Sequence, residues 1–358
     1  MELLVFSTPR WFRGNDISTR WNPDVVGPGI PWTPEDGRWW RRAAQLQLLG
    51  KSPARAFLRL NQRLWSTLPS SLAENRVIQG YGRILHKLAR AQGDRSQALS
   101  TFFMRNRPEL ELIGRLASRA SHGEKLRVAV LGCSSGAEAY SVAWTIKSAR
   151  PDLRLVLQAV DISAEAVQFA QRGVYSKPAS ALTGTAVLDR MSAAEVKQVF
   201  DENDGSLTVK SWIREGISWS TGDAGDPRLV EKLGPQDIVI ANNFLCHMQP
   251  RDAERCLHNI ARLVSNGHLF VGGIDLDVRT RVAGRLGWEP VEELLEEIHE
   301  GDPCVRGQWP CQYAGLEPLD KSRKEWKLRY ASVFRIVSSE TERPAGLSSE
   351  VMEALTKK

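Results

Sequence analysis

The chain has 358 residues, 42% hydrophobic and 25% charged, with a formal net charge of +6. That is the balance of a globular protein with room for two domains, or for one domain and an extension. No run approaches the roughly 18 apolar residues of a membrane span, so no membrane insertion is expected.

The start, Met1 to Phe6, has no basic n-region and too short an apolar stretch for a signal peptide. Cytoplasmic residence is therefore the expectation. Five cysteines, with no C-x-x-C, argue against a disulfide framework or a zinc site, and no metal is expected.

Residues 1–33 place Trp11, Trp21 and Trp32 among Pro9, Pro23, Pro28 and Pro31. The prolines predict an extended arm, too rich in tryptophan for a disordered tail. These tryptophans, with Trp39 and Trp40, either pin the arm to the body or join Arg13, Arg38, Arg41 and Arg42 in a binding surface. Over the first hundred residues bases outnumber acids roughly two to one. Such asymmetry marks an anionic partner or a solvated basic face; nucleic acid is the weaker expectation. Thr33-Pro34-Glu35-Asp36 is a helix start. Further helices are predicted at Ala54–Leu64 and around Val77, Ile84, Leu85 and Leu88. Residues 34–121 thus read as a helical domain.

Leu126 to Gly132 is a short apolar run with β-branched residues, suited to a strand buried on both faces. Cys133-Ser134-Ser135-Gly136 is a small-residue turn. From Ala137, helical spacing places Ala139, Val142, Ala143 and Ile146 on one side. Strand, turn and helix form the nucleotide-site plan of an open α/β sheet. Gly132 and Gly136 lie four apart with no third glycine, so neither a dinucleotide fingerprint nor a Walker loop is present. The loop can hold a smaller anionic group, such as an amino-acid carboxylate. Glu138 either meets an amine or simply favours the positive end of the helix. A second run, Leu153 to Val160, ends in Asp161-Ile162-Ser163. Asp161 is placed for ribose hydroxyls or for the following helix N-terminus. In this order the signals suggest a nucleoside that carries an amino acid, S-adenosylmethionine, with S-adenosylhomocysteine as product.

The loop Gly132-Cys-Ser-Ser-Gly-Ala-Glu-Ala-Tyr-Ser141 resembles the G-x-x-[ST]-G-E-E-P-Y-S loop of the CheR-type chemotaxis-receptor methyltransferases. Asp161-Ile-Ser, followed by Ala170-Gln-Arg-Gly-Val-Tyr175, is similar to that family's next segment. The resemblance runs from about Leu99 to Gly273. It implies an α/β fold of the class I methyltransferase (Rossmann-like) type: a seven-stranded sheet preceded by a helical domain. The methyltransferase domain is expected at 122–338, with a loose tail at 339–358. Cofactor contacts are implied for Ser100, Gly132, Ser134, Gly136, Glu138, Asp161, Ile162, Asp223, Asn242 and Asn243.

Several positions depart from the pattern. Ser100-Thr101-Phe102-Phe103-Met104-Arg105 is similar to the family's T-x-F-F-R, with Met104 in the arginine place. Arg105 is one residue late, and on a helix would need a local distortion to fill that role. Phe102 and Phe103 read as interdomain packing. Asp223 stands where the family has an asparagine near the adenine, and can accept its amino group. In Asp237 to Phe244, similar to D-x-I-x-C-R-N-V, Asn242 takes the arginine place and Asn243 the asparagine place. His247 stands at the family's tyrosine. His247, Asn243 and Arg105 are the catalytic candidates, with His247 as base or orienting group, or else a structural histidine.

Met191-Ser192-Ala193-Ala194-Glu195 is a capping box that opens a helix through Phe200. Leu207–Val209 and Trp212–Arg214 are predicted as short strands around a turn, at the place of the small antiparallel subdomain with which the resembling family docks its receptor. Ile217 to Ser220 and Gly267 to Gly273 are further strands, and Asp252 to Leu263 is a helix. Asp275 lies near the site or caps the segment after it. Trp326 to Ile336 is predicted as the closing strand. The expected activity is methyl transfer to a small-molecule hydroxyl or carboxylate. Alternatives are a protein glutamate and a non-catalytic module that senses the cofactor. The sequence leaves the oligomeric state open.

Overall fold

The computed structural model describes residues 52–69, 72, 75–92, 99–176 and 186–337. The tryptophan-rich arm, the helix start at Thr33 and the tail after residue 337 lie outside the described residues.

Seven strands form the central sheet. They are β1 (Lys125–Leu131), β2 (Arg154–Asp161), β6 (Ile217–Thr221), β7 (Gln236–Ile240), β8 (Val264–Phe270), β9 (Glu289–Pro290) and β10 (Val333–Ile336). Their spatial order is β6-β2-β1-β7-β8-β10-β9. The first five are parallel, and β10 enters antiparallel between β8 and β9. This is the sheet the resemblance implies. The chain winds outward from β1 in both directions, so β1 and β7 flank a topological switch point, where open α/β sheets leave a crevice.

Alternation along β1 explains why it lies at the centre. Val128 and Val130 belong to the core on one face of the sheet, while Ala129 and Leu131 belong to the core on the other. On the first face lie α3 (Arg107–Ser118) and α4 (Ala137–Ala149). The predicted stripe Ala139, Val142, Ala143 and Ile146 is buried there. Helices α7 (Pro227–Leu233), α8 (Pro250–Ala261) and α9 (Leu276–Arg285) cover the other face.

Two predicted strands are corrected. Trp212-Ile213-Arg214 is a helical turn, Ser211–Arg214. The small sheet is made instead by β3 (Val174–Ser176), β4 (Phe200–Asn203) and β5 (Ser206–Val209), in the order β3-β5-β4. Asp204 and Gly205, at φ 48° and 76°, make the tight turn that pairs β5 with the strand before it. Of the predicted closing strand, Trp326–Tyr330 is helical and only Val333–Ile336 is extended. Arg329 and Tyr330 are held there by Glu317, at 2.7 and 2.9 Å. The capping box on α6 (Ala193–Val199) forms as expected.

Helices α1 (Pro53–Ser66) and α2 (Arg76–Gln92) pack as a pair. Helix α2 leans on the C-terminal segment. Gly82 lies so close to Trp309 that a Cβ would come within 2.3 Å of its ring. Arg83 bonds Asp320 at 2.9 Å, and Arg90 bonds Asp275 and Asp277. Asp275 also caps α9 by accepting the Asp277 N–H, and it lines the cleft beyond the sheet as well. Helix α2 and residues 298–317 thus line that cleft, at the carboxyl end of the sheet.

Candidate active site

A cleft opens beyond the ends of β1, β7 and β8, roofed by α2 and residues 298–317. The loop after β1 is shaped by backbone conformations that glycine tolerates. Gly132 sits at φ 69°, and a Cβ there would come 2.7 Å from the Phe244 ring. Gly136 caps α4 at φ 90°, where a Cβ would meet Ala170 at 2.9 Å and Trp219 at 3.0 Å. The protein's own packing demands both glycines.

Ser134, at φ 49°, ties three segments together. Its N–H donates to Asp161 Oδ2 at 2.7 Å, and its hydroxyl donates to the Leu99 carbonyl at 2.6 Å. The second bond brings exposed Ser100 beside the loop. Asp161, 5% exposed, accepts the Ser163 N–H on its other oxygen at 2.9 Å. Helix α5 (Ala164–Arg172) takes its side-chain cap from Ser163, not from Asp161. Asp161 therefore clamps the loop after β1 to the loop after β2. Burial raises its pKa, against the pull of its backbone N–H partners. Ile162 beside it stays 45% exposed. Asp223 accepts the Gly225 N–H at 2.8 Å, a bond within its own turn.

The inner wall is acidic. Glu138 lies in the first turn of α4, and Glu109, which is buried, in the first turn of α3. One amide joins them: Asn242 Nδ2 donates to Glu109 Oε1 at 2.6 Å and to Glu138 Oε1 at 3.0 Å. Asn242 Oδ1 accepts the Gly272 N–H at 2.7 Å, which fixes the amide. Burial, then the neighbouring Glu138, pushes the Glu109 carboxyl up to about 8. Burial likewise raises Glu138, with Asn242 and Arg105 opposing it.

Arg105 lines the same cleft. The segment before α3 is a turn, so helical spacing does not govern it. Met104, at φ 53°, points into the core, and the next residue faces the site. Arg105 thus reaches the cleft from a left-handed turn and not along a helix. Its Nε donates to Asp302 at 2.7 Å, and Arg190 grips the other oxygen of Asp302 at 2.9 Å. Phe103 packs edge-on against Tyr175 and Phe200.

Asn243, at φ 62°, lines the cleft, and its N–H bonds the Gly272 carbonyl at 3.1 Å. His247 ends a short 3₁₀ turn, and its Nδ1 lies 2.9 Å from the Tyr313 hydroxyl. Tyr313 is among the lining residues, and His247 stands behind it. Glu109, Tyr313 and Asp302 also line the cleft, and sequence reasoning missed them. Glu109 did carry a signal: a carboxylate on the same helical face as Leu112, Ile113 and Leu116.

These residues fit S-adenosylmethionine. A buried carboxylate, Glu109, and a half-buried one, Glu138, line the cleft and suit a ligand with an ammonium group, and Asp161 ends the second strand. The Ser135 hydroxyl in the loop is buried without a partner among the described residues.

A family model described as CheR methyltransferase, SAM binding domain, matches residues 100–278. Over 206 residues the chain is 29% identical to a probable biofilm formation methyltransferase WspC of Pseudomonas putida, covering 56% of this chain and 45% of that one. Over 216 residues it is 26% identical to chemotaxis protein methyltransferase 2 of Vibrio cholerae, covering 56% and 72%. The match to the Pseudomonas putida relative thus spans less than half of that protein. A TehB-like SAM-dependent methyltransferase from Corynebacterium glutamicum aligns at 15% identity and TM-score 0.35, over 73% of this chain and 99% of that one.

Proposed function

The chain belongs to the CheR methyltransferase family, and from that premise we propose that it methylates a side-chain carboxylate presented by a protein partner. The observation that carries this reading is the small antiparallel sheet inserted between α5 and β6. Among the described residues its outer strands, β3 and β4, pair only with β5. Along β4, Asp201, Glu202 and Asn203 are exposed. The resembling family docks its receptor on a small antiparallel sheet at this place in the chain, and an exposed strand such as β4 suits contact with a protein segment. The relatives' names as chemotaxis and biofilm methyltransferases agree with this reading, and a small-molecule hydroxyl draws no support from them.

Bound in the cleft, S-adenosylmethionine supplies an electrophilic methyl group on a cationic sulfur. Glu138 and Glu109, which line the cleft, would hold its cationic amino-acid end, and Asp161 and Ile162, at the end of β2, would hold its nucleoside end. A carboxylate acceptor is already ionised at neutral pH, so the site needs to align it and exclude water rather than remove a proton. Arg279 gives the cleft a positive wall. It is 1% exposed, and its described partners are the carbonyls of Val271 and Arg329 and the Ser332 hydroxyl. Tyr313, in contact with His247, adds a hydroxyl to the same cleft.

The test is transfer of tritiated methyl groups to proteins of the source cell. Label in a protein band that is released as volatile methanol by alkali supports the carboxylate. Alkali-stable label, or label confined to small molecules, rejects it.

A further inference from the structure

We propose that Glu109 is a second carboxylate of the cofactor's ammonium site, and that cofactor binding expels a proton from the Glu109–Asn242–Glu138 unit. The inference rests on the cofactor assignment and is independent of the acceptor.

Geometry is the starting point. Both glutamates line the cleft and accept from the same nitrogen of Asn242, at 2.6 and 3.0 Å. One amide nitrogen has two hydrogens, so each carboxylate receives one and keeps further lone pairs to satisfy. Asn242 cannot swing away, because Gly272 holds its oxygen at 2.7 Å. The resembling family has an arginine at this position, which would bring a permanent cation to the pair. Asparagine brings none.

Among the described residues, the charges facing Glu109 are few. Glu138 comes from α4 and Arg105 from the turn before α3. Arg105 is already engaged by Asp302, which Arg190 shares. Cys133 lies near Glu138, and burial holds its thiol well above the ordinary range. Across the cleft, Arg90 is paired with Asp275 and Asp277, Arg279 rests on carbonyls, and Glu317 is paired with Arg329. His86 and His299 line that far side, both held down to about 4 by burial and hence neutral.

Two carboxylates that share one amide nitrogen, one buried and the other half-buried, favour holding a proton between them when no cation lies there. In the free protein the pair keeps a proton, consistent with the raised Glu109 carboxyl. An incoming ammonium supplies the missing charge. The neutral carboxylic acid then ionises, its proton leaves to solvent, and the ammonium keeps its own.

The experiment is titration calorimetry of the full chain with S-adenosylhomocysteine near pH 7, in buffers of differing ionisation enthalpy. Wild type should release about one proton, and affinity should rise about tenfold per pH unit below pH 8. Glu109→Gln should bring the release to near zero and flatten the pH dependence. Methylthioadenosine has the nucleoside but no amino-acid end, and it should bind wild type with no release. This arm needs no variant. Release from Glu109→Gln equal to wild type, or equal release with methylthioadenosine, overturns the proposal. So does binding of S-adenosylhomocysteine to wild type without release. No acceptor is present in the assay, so its failure leaves the protein-carboxylate reading standing, and failure of that reading leaves this one standing.

Discussion

Glu109→Gln should stabilise the ligand-free protein in alkali and leave it unchanged in acid. The side chain is buried, its carboxyl is pushed up to about 8, and an unfolded glutamate titrates near 4.5. Between these values the folded protein holds a proton that the unfolded chain has lost. The stability that goes with this proton is fully present below about pH 4.5 and is lost as pH rises through 8. The gap of roughly 3.5 pH units, at about 1.36 kcal/mol each, sets a ceiling near 5 kcal/mol. Between pH 5 and 8 wild type should therefore lose about 4 kcal/mol through this group alone. Glutamine keeps the bond from Asn242 with no charge to bury, so the variant escapes the loss. At roughly 2 °C per kcal/mol for a chain of this size, its Tm should exceed that of wild type by about 8 °C at pH 8.5 and coincide with it at pH 5. Thermal melts across this range decide the matter. Parallel Tm curves for the two proteins would show that Glu109 is ionised in the fold and refute the reasoning.

Asp161→Asn turns an oxygen that accepts a buried N–H into an amide, so it should cost about 1–3 kcal/mol of stability and a similar amount of S-adenosylhomocysteine affinity. Melts and calorimetry that match wild type would remove Asp161 from both roles. If the acceptor is a carboxylate, His247→Gln should keep turnover within about tenfold, with no rise in rate through pH 6–7. A loss of 10²–10⁴-fold would return a hydroxyl acceptor and a base acting through Tyr313. Gly205→Val, at a left-handed turn position, should unsettle the β4–β5 hairpin and lower methylation of the protein partner by about tenfold or more. S-adenosylhomocysteine affinity should not move, and if it falls equally the small sheet is not a separate docking element.

The sequence by itself determined most of the sheet, though not β9, and the loops after β1 and β2. Hydrophobic runs such as Val128–Leu131 and the Gly132–Gly136 turn are local patterns, and local patterns are what periodicity and turn chemistry report. Asp161 at a strand end and Ser192–Glu195 as a capping box were legible for the same reason. Asp204-Gly205 is a strong local turn signal too, and without it the wrong segment is paired into the small sheet. The tertiary structure alone decided which polar groups share one environment. Glu109 and Asn242 are 133 residues apart, and His247 and Tyr313 are 66 apart. Nothing in either segment announces its partner, because burial and a shared hydrogen bond exist only once the switch point of the sheet has brought the loops together. The same holds for Arg105, whose direction depends on the left-handed turn at Met104. It holds too for Trp326–Tyr330, whose β-like composition yields to the grip of Glu317.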